Sequence, residues 1–276
     1  MVNLPSLLEM LKAGAHFGHG RSRWHPKMQQ YIFGLRNGVH IIDLEKTLEQ
    51  LATTLEYLRT MTAKGKTVLF VGTKRQAREI VKIAAESCGA PYLVERWIGG
   101  LLTNFDEFKK RLKKYKGLKE QIASGEVERY TKKEQLNIKR MVEKMDKYLV
   151  GLSSLDKIPD VLFIADLRVE KTGVAEANRL NVPVVAVCDT NVNPEKALHI
   201  IPANDDAVNS IKMIVNLVAE AVKEGKEDWE KSKLAMAEEK AKEDKKNLAA
   251  KMVSVPAAGK PVVRSEKRPE KVMESL

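Results

Sequence analysis

The chain has 276 residues, 43% of them hydrophobic, with a formal net charge of +11, so it can bury a full core while carrying excess positive potential. That potential favours polyanionic partners, phosphate polymers first, and is silent about fold. Cys88 and Cys188 stand far apart with no CxxC or Cys/His spacing around either, which excludes a zinc ribbon and argues against a disulfide framework. Met1-Val2-Asn3-Leu4-Pro5 has no signal-peptide pattern, and apolar runs such as 182–188 are too short to cross a bilayer, so a reducing, cytoplasmic compartment is expected.

The first clear periodicity is helical, over 44–61. Thr67-Val68-Leu69-Phe70-Val71 then reads as a strand covered on both faces, and a helical pattern over 76–87 leads to a second such run at 92–94. Further along, strands at 161–165 and 182–187 enclose a helical pattern over 172–180, and a weaker strand at 199–201 precedes a helix over 207–223. Alternating strands and helices predict an α/β core, a doubly wound parallel sheet with right-handed crossovers.

Between 101 and 152 there is no strand signal. Leu101, Phe105, Phe108, Leu112, Tyr115 and Ile122 recur at helical spacing. After a Ser124-Gly125 turn, Thr131 and Glu134 form a capping box, and Ile138, Met141, Met145, Tyr148 and Leu152 step by threes and fours. Two apolar seams joined by a turn predict an antiparallel coiled-coil helical hairpin, inserted into a sheet domain made of 1–100 and 153–225. Residues 226–276 differ again: Lys, Glu and Ala crowd around Trp229 in a charged helix, and from Ser254 on Pro256, Gly259, Pro261 and Pro269 mark a disordered tail. A helix so polar argues against a membrane-surface protein, which needs an apolar face.

From Met10 to Ile42 there is no acidic residue, although Lys12, Arg21, Arg23, Lys27 and Arg36 occur there with His16, His19, His25 and His40. A second acid-free stretch, Tyr57 to Arg78, carries Arg59, Lys64, Lys66, Lys74, Arg75 and Arg78. Solvated surfaces ordinarily mix signs. One-sign stretches in a chain with 37 acidic residues point to phosphate, because each Lys or Arg that neutralises a phosphate releases a counterion. Trp24 and Tyr31 lie among these bases, placed either to stack on unpaired nucleotides or to fill the core.

The loop Gly72-Thr73-Lys74-Arg75-Gln76-Ala77-Arg78 follows a strand and opens a helix, a place where backbone N–H groups face anions. A nucleotide-dependent enzyme would use the same place, but one glycine is neither GxGxxG nor GxxxxGK[ST]. Trp97-Ile98-Gly99-Gly100-Leu101-Leu102-Thr103-Asn104 is the other conspicuous loop, its glycines allowing either a sharp turn or close RNA approach. No GxSxG or HExxH is present. Asp166, Asp189, Asp205 and Asp206 follow strand runs, where parallel sheets gather ligands. With His16 or His19 they offer ligands for zinc, His19, Asp189 and Asp205 being the set expected; helix caps and turns are the competing use.

Several stretches together resemble the bacterial small-subunit ribosomal protein S-two family. They are Lys12-Ala13-Gly14-Ala15-His16-Phe17-Gly18-His19, Trp24-His25-Pro26-Lys27-Met28, Tyr31-Ile32-Phe33-Gly34 and Val39-His40-Ile41-Ile42-Asp43-Leu44-Glu45-Lys46-Thr47. Leu69-Phe70-Val71-Gly72-Thr73-Lys74, Arg96 with the 97–104 loop, Asp189-Thr190-Asn191 and Ile201-Pro202-Ala203-Asn204-Asp205-Asp206-Ala207 continue the match. The resemblance implies a flavodoxin-like parallel sheet with an inserted helical hairpin, and a structural role without catalysis. It also implies binding to small-subunit ribosomal RNA, neighbouring small-subunit ribosomal proteins as partners, and docking of the large S-one protein that captures messenger RNA. The RNA-binding residues expected on these grounds are Arg21, Arg23, Trp24, Lys27, Arg36, Lys74, Arg75, Arg78 and Arg96.

Overall fold

A computed structural model describes residues 3–253 of the chain. Residues up to Lys231 make one compact unit, and the chain from Ser232 counts as a second. Ser6 caps the first helix, α1 (Leu7–Lys12), with Glu9 completing a capping box. Three short strands follow, β1 (Phe17–Gly20), β2 (Ile32–Arg36) and β3 (Val39–Ile42), paired antiparallel in the order β1-β3-β2. Asn37 and Gly38, at φ 52° and 77°, make the two-residue turn between β2 and β3. Positive φ at both positions matches the twist of the flanking strands, and Asn-Gly supplies it at least strain. This small sheet is absent from the sequence reading.

The remaining elements alternate as expected: α2 (Leu44–Ala63), β4 (Val68–Val71), α3 (Arg78–Ser87) and β5 (Tyr92–Leu93) come first. After α4 (Phe105–Ala123) and α5 (Lys132–Leu149), β6 (Val161–Ile164), α6 (Lys171–Arg179), β7 (Val184–Cys188), β8 (His199–Pro202) and α7 (Val208–Val253) complete the chain. The five later strands are all parallel, in the order β5-β4-β6-β7-β8. Every residue of β4, β6 and β7 is buried, which is why their sequences run apolar without alternation.

The two faces of this sheet feed separate cores. Phe70, Phe163, Val185 and Ile201 pack with Leu51 and Leu58 of α2, Val81 of α3 and Ile214 and Val218 of α7. Leu69, Leu162, Ala186 and Ile200 turn the other way, toward Val174 and Ala177 of α6, Trp97, Leu152 and Met28. Each of the valine, leucine, isoleucine, methionine and phenylalanine side chains among them, removed from water, contributes about 1.5–3 kcal/mol. Although α2 precedes β4, it packs beside β8, where the Thr47 hydroxyl donates to the Pro202 carbonyl at 2.6 Å.

The helices α4 and α5 pack on one another, with Phe108, Leu112 and Tyr115 of α4 and Val142 and Leu149 of α5 in the same core as Trp97 and Leu69. Tyr115 donates its hydroxyl to Asp146 at 2.5 Å, and Lys119 pairs with the same carboxylate at 2.8 Å. The Thr131–Glu134 capping box is present. The seam of α5 is displaced from the reading above: Val142 and Leu149 are buried, whereas Met141 and Tyr148 face solvent. Both sets fit a spacing of threes and fours, so periodicity by itself does not separate them. The last helix runs without a break through Gly225, whose missing side chain leaves room for Thr62 and the Arg59 carbonyl. The tail expected from Ser254 on lies outside the described residues.

Candidate nucleic-acid interface

Charge pairing divides the expected RNA-binding residues in two. Lys27 pairs with Glu195, Arg78 donates to the Thr73 carbonyl at 2.9 Å and to Glu95 at 3.3 Å, and Lys74 is enclosed by aspartates. By contrast Arg21, Arg23, Arg36, Arg75 and Arg96 are exposed and have no ion pair among the described residues. Trp24 is half-buried, its ring 5.2 Å from that of His40. The second acid-free stretch finds its acids elsewhere: Arg59 meets Asp228 at 3.0 Å and Lys66 meets Asp160 at 2.9 Å. Absence of acids nearby in sequence therefore does not leave those cations free.

The loop at Gly72 is also filled from within. The Thr73 N–H, which would face a phosphate in a nucleotide-binding loop, donates to the buried carboxylate of Glu170 at 3.0 Å. Burial holds that carboxyl above its ordinary range, against the hydrogen bond from Thr73.

Free cations gather a short way off, past the carboxyl ends of β6 and β7. Arg168 follows β6, Lys171 opens α6, Lys196 lies between β7 and β8, and Arg23 reaches over from the segment after β1. Together with Ser22, His25, Asn191 and Asn193 they line an open cleft of about 520 Å³ in which no acidic residue takes part. None of the four cations is ion-paired among the described residues. The Asn191 side-chain oxygen is buried there without a partner. Asp166 positions the cleft's edge by accepting from the Arg168 and Val169 N–H groups at 2.7 and 3.1 Å. Sequence reasoning found Arg23 and missed Arg168, Lys171 and Lys196, because these are scattered through stretches of mixed charge.

Behind the cleft lies a compact charged cluster. The Lys74 ammonium sits 2.8 Å from Asp206, 2.9 Å from Asp205 and 3.1 Å from Asp166, with its side chain 16% exposed. Burial pulls the lysine pKa down, but the aspartates outweigh it and hold the group far above its usual value. Asp205 is pushed up to about 7 by burial, then by Asp166 and Asp189, with Lys74 opposing. His19 Nδ1 lies 2.8 Å from Asp189 and Nε2 lies 3.6 Å from Asp206, and the Asp189 hydrogen bond raises the imidazole pKa. The zinc set expected at His19, Asp189 and Asp205 is thus rearranged. His19, Asp205 and Asp206 are the groups that converge, within 4.8 Å, while Asp189 orients the ring from behind. Asp205 and Asp206 already share a cation supplied by the chain itself, Lys74.

The sequence pattern of the family described as ribosomal protein S2 matches residues 10–225. The chain belongs to that family. It is 48% identical over 222 residues to small ribosomal subunit protein uS2 of Coprothermobacter proteolyticus, covering 80% of this chain and 83% of the other. The protein of the same name from Wolinella succinogenes is 48% identical over 221 residues, covering 80% and 82%. That from Petrotoga mobilis is 48% identical over 226 residues, covering 82% and 78%. As a ribosomal protein S2 family member the chain is a structural constituent of the ribosome and not an enzyme.

One buried carboxylate ties a loop of this S2 chain to a helix. Glu176 on α6 accepts from Trp97 Nε1 at 3.0 Å, from the N–H groups of Gly100, Leu102 and Thr103 at 2.9, 3.1 and 3.2 Å, and from the Thr103 hydroxyl at 3.3 Å. Burial alone would raise its pKa, yet these donors keep it below the ordinary carboxylate value. Gly173, one turn before Glu176, lets the Trp97 ring lie against the helix, since a Cβ there would come within 2.8 Å of it. The 97–103 loop, from which α4 departs, is therefore fixed to α6.

Proposed function

We propose that the chain binds small-subunit ribosomal RNA through the cleft of Arg23, Arg168, Lys171 and Lys196. The observation that carries this reading is the convergence of unpaired cations, with no acid among them, at the carboxyl ends of a parallel sheet. Phosphates would sit over the cleft. Arg21, beside Arg23, and the exposed Arg36, Arg75 and Arg96 extend the positive surface. Lys27, Lys74 and Arg78 act indirectly, by fixing the loops that carry their neighbours. Binding of a purified small-subunit ribosomal RNA fragment should fall steeply with salt, and Arg168→Ala or Lys171→Ala should each reduce the slope of log affinity against log salt by about 0.9. A slope unchanged in both variants, or a shallow one in the parent chain, would remove the cleft from the RNA contact.

Membership of the family supports a second contact, with neighbouring ribosomal proteins that include the S-one protein. Its support in the structure is apolar. Leu11, Phe17, Phe33 and Leu35 are exposed, Phe33 to 79%, and line a groove of about 770 Å³ along the small antiparallel sheet. Exposed apolar surface of this kind marks a docking site for protein more than for RNA.

A further inference from the structure

A second cleft, of about 480 Å³, opens where the 96–99 loop meets the base of α4 and α5. Arg96 comes from the loop, Arg111 from α4 and Lys144 from α5, and all three line it without an acid among the lining residues. No ion pair holds any of them among the described residues, although other cations on the same two helices are matched, Lys110 to Glu107 and Lys119 to Asp146. The wall is apolar and aromatic: Ile98 and Met145 are half-buried, and Tyr148 is 42% exposed. Tyr148 is available because the helix pair is sealed by Val142 and Leu149 in place of Met141 and Tyr148.

We infer that this cleft takes one unpaired nucleotide of the bound RNA, its base against Tyr148 and Met145 and its phosphates held by Arg96, Arg111 and Lys144; this rests on the RNA-binding reading above. Three arguments select that occupant. Cavities of about 300–1,000 Å³ suit a ligand of this size. A base inside an A-form helix has its faces covered by stacked neighbours, whereas an unpaired base stacks on aromatic rings while its phosphate meets cations. An apolar wall beside three unmatched positive charges fits that combination. A purely apolar peptide would leave the cations without partners. The receiving wall is also rigid, because the loop behind Arg96 is fixed to Glu176.

Gly99 provides the decisive variant. It lines the cleft, has no positive φ, and a Cβ built on it meets nothing within 4 Å, so Gly99→Leu fills the cleft without straining the fold. The full chain should be bound to small-subunit ribosomal RNA, irradiated with short-wavelength ultraviolet light, and its nucleotide-bearing peptides identified by mass spectrometry. We expect adducts on the peptides carrying Ile98, Met145 or Tyr148. They should be lost in Gly99→Leu, and Tyr148→Ala should weaken binding by about tenfold with an unchanged melting temperature. RNA bound with parental affinity by both variants, with adducts confined to the Arg23–Arg168 cleft, overturns this inference alone. Failure of the parent chain to bind RNA at all overturns both readings, and crosslinking of the cleft to another ribosomal protein overturns this one.

Discussion

Glu176 shows how much one side chain can organise. Its carboxylate serves the Trp97 indole, backbone N–H groups and a threonine hydroxyl. Glu176→Ala would leave the buried Trp97 and Leu102 donors unpaired, each at roughly 1–3 kcal/mol, so a loss on the order of 3 kcal/mol is expected in denaturant unfolding. Glu176→Gln, which keeps the size but brings its own donors, should lose less. His19 and Asp205 make a titration argument. The folded pKa of His19 is raised, so its stabilising contribution is complete below the unfolded value and is lost as pH rises through the folded one. Asp205 is raised to about 7, so folding favours its protonated form, and that contribution also fades as pH climbs from about 4 to about 7. Asp206 is lowered, burial opposing and Lys74 prevailing, so its contribution is lost only on acidification. The melting temperature should therefore fall as pH climbs toward about 7 with Asp205, and fall further as the raised His19 pKa is passed. His19→Asn, which keeps a donor toward Asp189 but does not titrate there, should flatten that fall; an equal fall in the variant would assign the effect elsewhere.

At the scale of elements, the order of strands and helices in the parallel sheet was legible because β4, β6 and β7 are buried on both faces and therefore read as unbroken apolar runs. The small antiparallel sheet was overlooked although its turn is written plainly as Asn37-Gly38. The strands β1 and β2 contain glycines and exposed aromatics in place of a clean alternation, so their pairing gives little periodic signal. In α5 the opposite difficulty arises. Two overlapping apolar rows fit the helical period, and only contact with Phe108 and Tyr115 selects Val142 and Leu149. The exposed groove along β2 makes a prediction of its own. Phe33→Asp should weaken retention of the S-one protein on small subunits by about tenfold, as loss of a central aromatic anchor does. Equal retention by Phe33→Asp and the parent chain would exclude this groove.

For the whole molecule, net charge pointed to polyanionic partners, but positions in sequence were a poor guide to which cations are free. Lys74, Arg78, Arg59 and Lys66 come from an acid-free stretch, yet each meets a carboxylate brought by another part of the fold. Arg168, Lys171 and Lys196 come from ordinary mixed stretches and converge in a cleft without acids. A linear reading sees local composition, whereas the potential felt by a polyanion depends on what the folded surface leaves unmatched. The same contrast moved the expected zinc ligands. Asp189 and Asp205 do lie at strand ends, but Asp205 is paired with a lysine from the loop after β4 while Asp189 holds His19.

The packing of α2 beside β8 has a consequence for synthesis. His19 meets Asp189, the Gly14 carbonyl accepts from Asn204, and Thr47 reaches Pro202, so the amino-terminal segment closes onto partners far along the chain. Contacts so remote in sequence make folding slow and leave early segments exposed meanwhile. While the nascent polypeptide is still emerging, its first helices have little but one another to rest against, and apolar side chains such as Leu51 and Leu58 are not fully covered until β8 and α7 arrive. What is translated first is thus among the last to be secured.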